Sequence, residues 1–593
     1  MRMTDISRRD WVKTMGVAGA GAIANPNLSV LARTHHAPGD IVELTSTSEI
    51  FTPPRGRGFM KFSFDFPEPS VVFGDYRFGF LVFTDENTYG MDRAKLRAEG
   101  NADSLKITCD GFVWAGGQEK APGKLTATLR RTGTTIEWDT VVEMERPVKT
   151  VSTIIRGVAR GQVSLGGGAF ADQRDNELLA GYTFGAGDLH GGQAAAGITT
   201  PLLMIQASPT DVFYVSSLDD RVRPKRFYLA PGDTSYRVEA IYEHDGWRND
   251  RRVQVPRWRL GRAATADEAT NLHMQHIEKV YALSAWESRS DVPNWMRDIA
   301  LVTTLQGMHY TGYMFNDYAK MLEILRWMST QIPAERVLAF VSAWDGRYYW
   351  DYPIYRASDR MGGVAGFTRL VQEAQKMGFK IMPMFGMNSA NKKLPMWPTI
   401  ADGLTYKIDG NAYNLDWVDW NNDRHQDGWL GYMNLGVDAW RNHLEGRIAD
   451  MIERYKVDAY FLDIAGGHVN STNGDMHDGT RRLVANLKEK YPTVLAVGEM
   501  PYDALHGFLP VYHAGGGGIW RKYSRFFSHL SAPAPGRGST GVHEAGFQRF
   551  NMETLGLSPN AIPTLQVVDD TFTAHRDVMS AVIQRAKQRA GIG

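Results

Sequence analysis

"DAYFLDIAGGH", residues 458–468, decides how this chain is read. The strand-forming run Ala459 to Leu462 delivers one carboxylate, Asp463, and then breaks on Gly466 and Gly467. A lone charge is costly to bury, so the strand must either satisfy Asp463 or present it where it is used. Upstream, "DAWRNHLEGRIADMIERYKV" predicts a helix with Asp438 as N-cap and Trp440, Leu444, Ile448 and Ile452 inward. Downstream, "HDG" at 477–479 starts the helix of "DGTRRLVANLKEKY", and "TVLAVGEM" forms the next strand, ending on Glu499.

The same strand–helix rhythm runs through the C-terminal half. "IALVTTLQGMHY", "RVLAFVSAWD" and "FKIMPMFGMN" read as earlier strands. "YAKMLEILRWM" places Tyr318, Met321, Leu322 and Leu325 on one helical face. "GFTRLVQEAQKMG" does the same with Phe367, Leu370, Val371, Ala374 and Met377, and Gly378 suits its C-terminal cap. "RFFSHLSAP", "TLQVVDD" and a terminal helix, "AHRDVMSAVIQRAKQ", follow. About 300 residues of this alternation fit a TIM (β/α)8 barrel, ~250 residues plus insertions. A doubly wound sheet would announce a Gly-rich phosphate turn after its first strand, and none is present.

From 41 to 263 the chain reads instead as an antiparallel β-sandwich. "SLKITCDGFVW", "KLTATLRRTGTTIEWDTVVEM" and "VKTVSTIIRGV" alternate apolar and β-branched residues, with a hairpin turn at Thr132-Gly133. The expected division is a leader at 1–24, a linker at 25–40, the sandwich at 41–263, a helical connector at 264–290 and the barrel at 291–593. The 593 residues carry 66 basic and 66 acidic side chains, which gives no reason to expect nucleic acid or an anionic membrane as partner. Sixteen Trp and 24 Tyr, some clustered as in "WDGRYYWDY", suit the apolar faces of sugar rings. The single cysteine, Cys109, excludes an internal disulfide and reads as a buried thiol. No Cys/His array has zinc spacing, and the long connection at 389–436 lacks the spacing of a calcium loop, so neither metal nor cofactor is expected.

Barrel enzymes place their chemistry at the C-terminal ends of the strands. Those ends carry His309 and Tyr310, Trp344 and Asp345, Asn388, Asp463, Glu499, His529, and Asp569 with Asp570. Asp463 and Glu499 lie 36 residues apart, about one βα unit, which predicts neighbouring strands and one rim. Two carboxylates facing one cleft suit glycosidic cleavage: one attacks the anomeric carbon and the other, held protonated, protonates the departing oxygen. Trp344, Asp345, Tyr352, Asn388, His468, His529 and Asp570 are the candidates for holding the sugar.

"YFLDIAGGH" resembles the fourth-strand nucleophile segment of alpha-amylase-like glycoside hydrolases, and "AVGEM" their fifth-strand acid/base segment. The wider layout resembles a divergent bacterial branch with a β-sandwich before the barrel, to which endo-alpha-N-acetylgalactosaminidases are distantly similar. "DVPNWMRDIALV", "GGVAGFTRLVQEAQKMGFKIMPM" and "NLGVDAWRNHLEGRIADMIERYKVDAYFLDI" carry that likeness, over roughly 290–505. The resemblance implies that Asp463 is the nucleophile, Glu499 the general acid/base and Asp569 the third carboxylate, with retention at an alpha-type linkage. The pattern departs at Phe461, where amylases have an arginine, and at Asp569-Asp570, where they have a late His-Asp pair. No further β-domain follows the barrel, so starch is not the expected substrate; an oligosaccharide, polysaccharide or glycoconjugate is. At the other end, "SRRDWVKTMGVAGAGAIANP" resembles a twin-arginine signal, with Arg8 and Arg9 before a short apolar run and Ala22 and Ala24 at a cleavage pattern. It implies a bacterial protein handed to the twin-arginine machinery and delivered to the periplasm or beyond. No other stretch is long and apolar enough for a membrane span. The alternatives are a non-catalytic carbohydrate-binding barrel, an inverting glycosidase, and lyase or isomerase chemistry, which wants a metal cluster or a strand-end lysine.

Overall fold

Alternation of buried and half-exposed residues builds two large sheets in the N-terminal part. In Thr135–Met144, Ile136, Trp138, Thr140 and Val142 are buried while their neighbours reach outward. This strand pairs with Gly123–Thr132 through a two-residue turn at Gly133-Thr134, one residue later than the sequence suggested. Gly133 takes φ 59°, as a tight hairpin requires. The nine-stranded sheet containing it faces an eleven-stranded sheet whose middle is Tyr76–Phe83, Thr150–Ala159, Ser235–Glu243 and Lys225–Pro231. Side chains from the two sheets meet: Trp138 lies edge-on to Phe78 at 5.8 Å, and Phe227 edge-on to Trp258 at 5.8 Å. The buried indole of Trp138 donates across the gap to Thr153 Oγ1 at 3.1 Å. Cys109 is buried in this core, and burial pushes its thiol pKa up.

The structure is a computed structural model. It describes residues 36–43, 69–114, 120–172, 178–182, 196–232, 234–308, 313–346, 351–414, 429–513, 518–527, 561–568 and 571–593. Residues 38–593 form one compact unit. The leader expected at 1–24 lies outside the described residues, as do His309, Tyr310, His529, Asp569 and Asp570.

The C-terminal part is a nearly closed barrel of eight parallel strands. They are β1 Leu301–Gln306, β2 Val337–Ser342, β3 Lys380–Gly386, β4 Ala459–Asp463, β5 Leu495–Glu499, β6 Val511–His513, β7 Arg525–Phe527 and β8 Thr564–Val567. β8 pairs with β1, and one parallel bridge, Phe527 with Ile562, links the β7 and β8 sides. Helix α1 (Ala266–Val280) connects the sheets to the barrel. Helices α2 (Tyr318–Met328), α3 (Gly363–Met377), α4 (Asp438–Tyr455) and α5 (Met476–Lys490) follow β1 to β4, and α6 (Arg576–Arg589) follows β8. The residues read as inward in α2 and α4 are buried, as are Phe367, Leu370, Val371 and Ala374 of α3, while Met377 is half-buried. Asp438 is a correction: the cap is Val437, and Asp438 is the first helical residue, bonded to Arg441.

After β5 and β6 the described residues make only short 3-10 turns, 503–507 and 518–522. The interval from Glu499 to Val511 is too short for a helix and its return loops. The N-terminal sheets cover that flank instead. Tyr182 and Thr200 donate to the buried Asp503 carboxylate, Thr200 at 2.8 Å, and Trp520 donates to Thr199 at 3.1 Å.

Candidate functional site

Asp463 and Glu499 end neighbouring strands. The ladder pairs Leu462 with Gly498, so the next residue on each strand is a carboxylate at the same level. Both are nearly buried, at 6% and 4% exposure, on the C-terminal rim. The residue after each is left-handed, Ile464 at φ 57° and Met500 at φ 52°. For Ile464, a β-branched residue, this conformation is strained, and such strain persists only where surrounding structure holds it. What holds it is visible: Ile464 N–H donates to Glu499 Oε2 at 2.9 Å, and Gly466 N–H donates to the Glu499 carbonyl at 2.9 Å. The acid on β5 thus fastens the turn that carries the acid on β4. The two glycines make room for protein. A Cβ on Gly466 would lie 1.5 Å from the Met500 carbonyl oxygen, and one on Gly467 2.1 Å from the Tyr432 hydroxyl.

Two residues that sequence reading missed belong to this rim. His513 ends β6, pairs in register with Glu499, and holds Nδ1 3.9 Å from Glu499 Oε1. Its ring stacks on Phe527 at 5.0 Å and meets Phe461 edge-on at 5.4 Å. Phe461, where an arginine was expected by resemblance, therefore belongs to an aromatic layer with Phe340, Phe527 and His513 beneath the carboxylates. The signal for His513 was present: "VYHAGGGG" is another apolar run ending on a polar side chain before glycine. Tyr432, from the long connection, is the other. Its buried phenol is raised well above its usual pKa, chiefly by burial, with the charges of Tyr413, Asp463 and Glu499 adding to it.

The expected sugar-holding residues divide. Asp345, past the end of β2, is buried; burial raises its pKa to about 8, and its Oδ2 has no hydrogen-bond partner among the described residues. Asn388 is buried and donates to Tyr432 Oη at 2.9 Å and to the Ile464 carbonyl at 3.0 Å, so its amide N–H groups serve the scaffold. Trp344 corrects the expectation of a stacking ring: it is 1% exposed, packs on Phe367 at 5.1 Å, and donates to the Met384 carbonyl at 2.9 Å. Tyr352 is equally buried, against Tyr355 at 5.1 Å, and offers no open face. His468 also departs from the reading. It is buried beside Tyr502, and burial lowers its pKa to about 4, with the nearby charges of Asp475, Lys225 and Asp245 acting on it. Lys225 and Asp245 belong to the N-terminal part, so His468 faces that contact. The turn is anchored on the same side: Asn470 donates to the His244 carbonyl at 2.8 Å and accepts from Gly246 N–H at 2.7 Å. Among the described residues no His, Cys, Asp or Glu side chains are grouped as metal ligands.

The fold is similar to that of solved glycoside hydrolases. The ligand-free alpha-N-acetylgalactosaminidase NagBb of Bifidobacterium bifidum is similar at TM-score 0.56 and 11% identity, over 88% of this chain and 93% of that one. Its complex with GalNAc gives TM-score 0.55 and 12% identity, over 75% and 79%. A GH31 family sulfoquinovosidase from E. rectale, in complex with an aza-sugar inhibitor, gives TM-score 0.54 and 11% identity, over 88% and 81%. At these identities the likeness is one of fold. Comparison with protein-family models found no match, and neither did comparison with curated proteins.

Proposed function

We propose that the protein is a retaining glycoside hydrolase acting on alpha-type linkages, with Asp463 as nucleophile and Glu499 as general acid/base. The observation that carries this reading is the pair of level carboxylates on adjacent strand ends, joined through Ile464 N–H. Glu499 Oε2 accepts that N–H, and in this reading Oε1 is the oxygen that exchanges the proton with the glycosidic bond. In the first step Asp463 attacks the anomeric carbon while Glu499 protonates the glycosidic oxygen. In the second, Glu499 takes a proton from water, which displaces Asp463 from the sugar. The names of the fold neighbours, an alpha-N-acetylgalactosaminidase and a sulfoquinovosidase, support a carbohydrate substrate. We read the two N-terminal sheets as the β-sandwich of residues 41–263, and the start of the chain as a twin-arginine leader that directs export.

The test uses a panel of aryl alpha- and beta-glycosides. Glu499→Ala should lose turnover and regain it with azide, because azide needs no general base. Asp463→Ala should lose turnover outright. NMR of the first product should show the retained anomer. Undiminished turnover in Glu499→Ala sinks the reading, and release of the inverted anomer removes the nucleophile's role from Asp463.

A further inference from the structure

The long connection after β3 returns to the barrel as a small hairpin, Ser389–Asn391 paired with Leu430–Tyr432. Its last residue reaches the turn after Asp463. Tyr432 Oη donates to the Gly467 carbonyl at 2.8 Å and accepts from Asn388 Nδ2 at 2.9 Å. The same Nδ2 lies 3.0 Å from the Ile464 carbonyl, and Met433 N–H fixes the Asn388 carbonyl at 2.9 Å. Gly467 is the residue that lets the phenol approach so closely. On its other side the turn is held by Glu499, through Ile464 N–H and Gly466 N–H. Residues 464–467 are therefore clamped between Glu499 and the Asn388–Tyr432 pair, and the strained Ile464 sits in the middle. Releasing the outer side frees Ile464 to relax, which turns both the Asp463 carboxylate and the N–H on Glu499.

We propose that Tyr432, with Asn388, is the positioning device of the carboxylate pair, coupling the insertion after β3 to the direction of Asp463 and Glu499. This rests on the reading of those two acids as the reacting groups. Tyr432 does not touch the reacting atoms; it acts through the turn. Misplacement on the scale of an ångström is enough to cost about 100-fold in rate.

The test is Tyr432→Phe in the full chain, which removes one oxygen and keeps the ring packed on Tyr413. The expected result is a kcat lower by ~10- to 100-fold, a KM within about twofold, and a crystal structure with the 464–467 turn rotated. Asn388→Ser should give the same split, and the double variant should fall little further than either single one. A hydroxyl that contacts substrate would instead raise KM at unchanged kcat, and that result overturns the proposal. So does wild-type kcat with an unmoved turn. If Asp463→Ala and Glu499→Ala keep turnover, the reading of the acids fails. In that case, and equally if no aryl glycoside is turned over, the position of the turn in Tyr432→Phe decides the structural claim by itself.

Discussion

Asp345 illustrates how one buried acid sets a pH dependence. Burial raises its pKa from 3.8 to about 8, with a backbone hydrogen bond opposing and the charge of Asp351 adding to the rise. The folded chain therefore keeps a proton that the unfolded chain releases. The stability is complete below pH 3.8 and declines up to about pH 8, where the folded group also ionises. The slope from this group is about 1.4 kcal/mol per pH unit at most. Asp345→Asn should remove it: urea denaturation of both proteins should show the variant gaining on the wild type as pH rises from about 5 to 8. Parallel curves would refute the buried proton. Gly466→Ala tests close packing at the same scale. Its Cβ would overlap the Met500 carbonyl, so Met500 and Glu499 must move, at ~1–3 kcal/mol or more. Turnover should vanish together with a lower Tm. Asp463 and Glu499 were legible in the sequence because each ends an apolar run next to glycine. Burial was not legible: nothing in "WDGRYYWDY" distinguishes a ring packed under a helix, as Trp344 is, from one open to a sugar.

Elements were read well wherever periodicity had room to show. Helices α2 to α4 lie where their stripes predict, α5 and α6 lie on segments read as helical, and Gly378 closes α3 in a left-handed conformation at φ 112°. Three-residue strands carry only two alternations and so little period; β6 was missed and took His513 with it, although the equally short β7 was read from "RFFSHLSAP". The cap of α4 was misplaced by one residue because Asp438 has a competing partner in Arg441. Within α4, Gly446 is exposed, and a Cβ there meets nothing within 4 Å. Glycine in a helix interior costs roughly 0.5–1 kcal/mol relative to alanine. Gly446→Ala should therefore stabilise the protein by about that amount and leave kcat unchanged. Chemical denaturation checks the first outcome and the aryl glycoside assay the second. A loss of stability would mean that α4 is not continuous through residue 446.

The whole molecule was expected as two domains in series, and its central physical feature is how the two parts share a boundary. Where the described residues after β5 and β6 form no α-helix, the sheets supply the cover. The polar groups inside that boundary are buried and bond to one another. Asp503 is fully buried, takes hydrogen bonds from Tyr182 and Thr200, and adjoins His273 of α1 through Thr200 Oγ1 at 2.6 Å. Burial raises the Asp503 pKa to about 6, and those donors hold it down from a higher value. Separating the parts would expose this network together with the core that runs through sheets and barrel alike. No step of unfolding can then release one part and leave the other native. Residues 38–593 should melt in one calorimetric transition, and a barrel expressed from residue 264 onward should be insoluble or unfolded. Asp503→Ala strands two buried hydroxyls, at ~1–3 kcal/mol each, and should lower that single transition without splitting it. Two resolved peaks, in either protein, would show instead that the sheets and the barrel fold independently and that the missing helices are covered by contact alone.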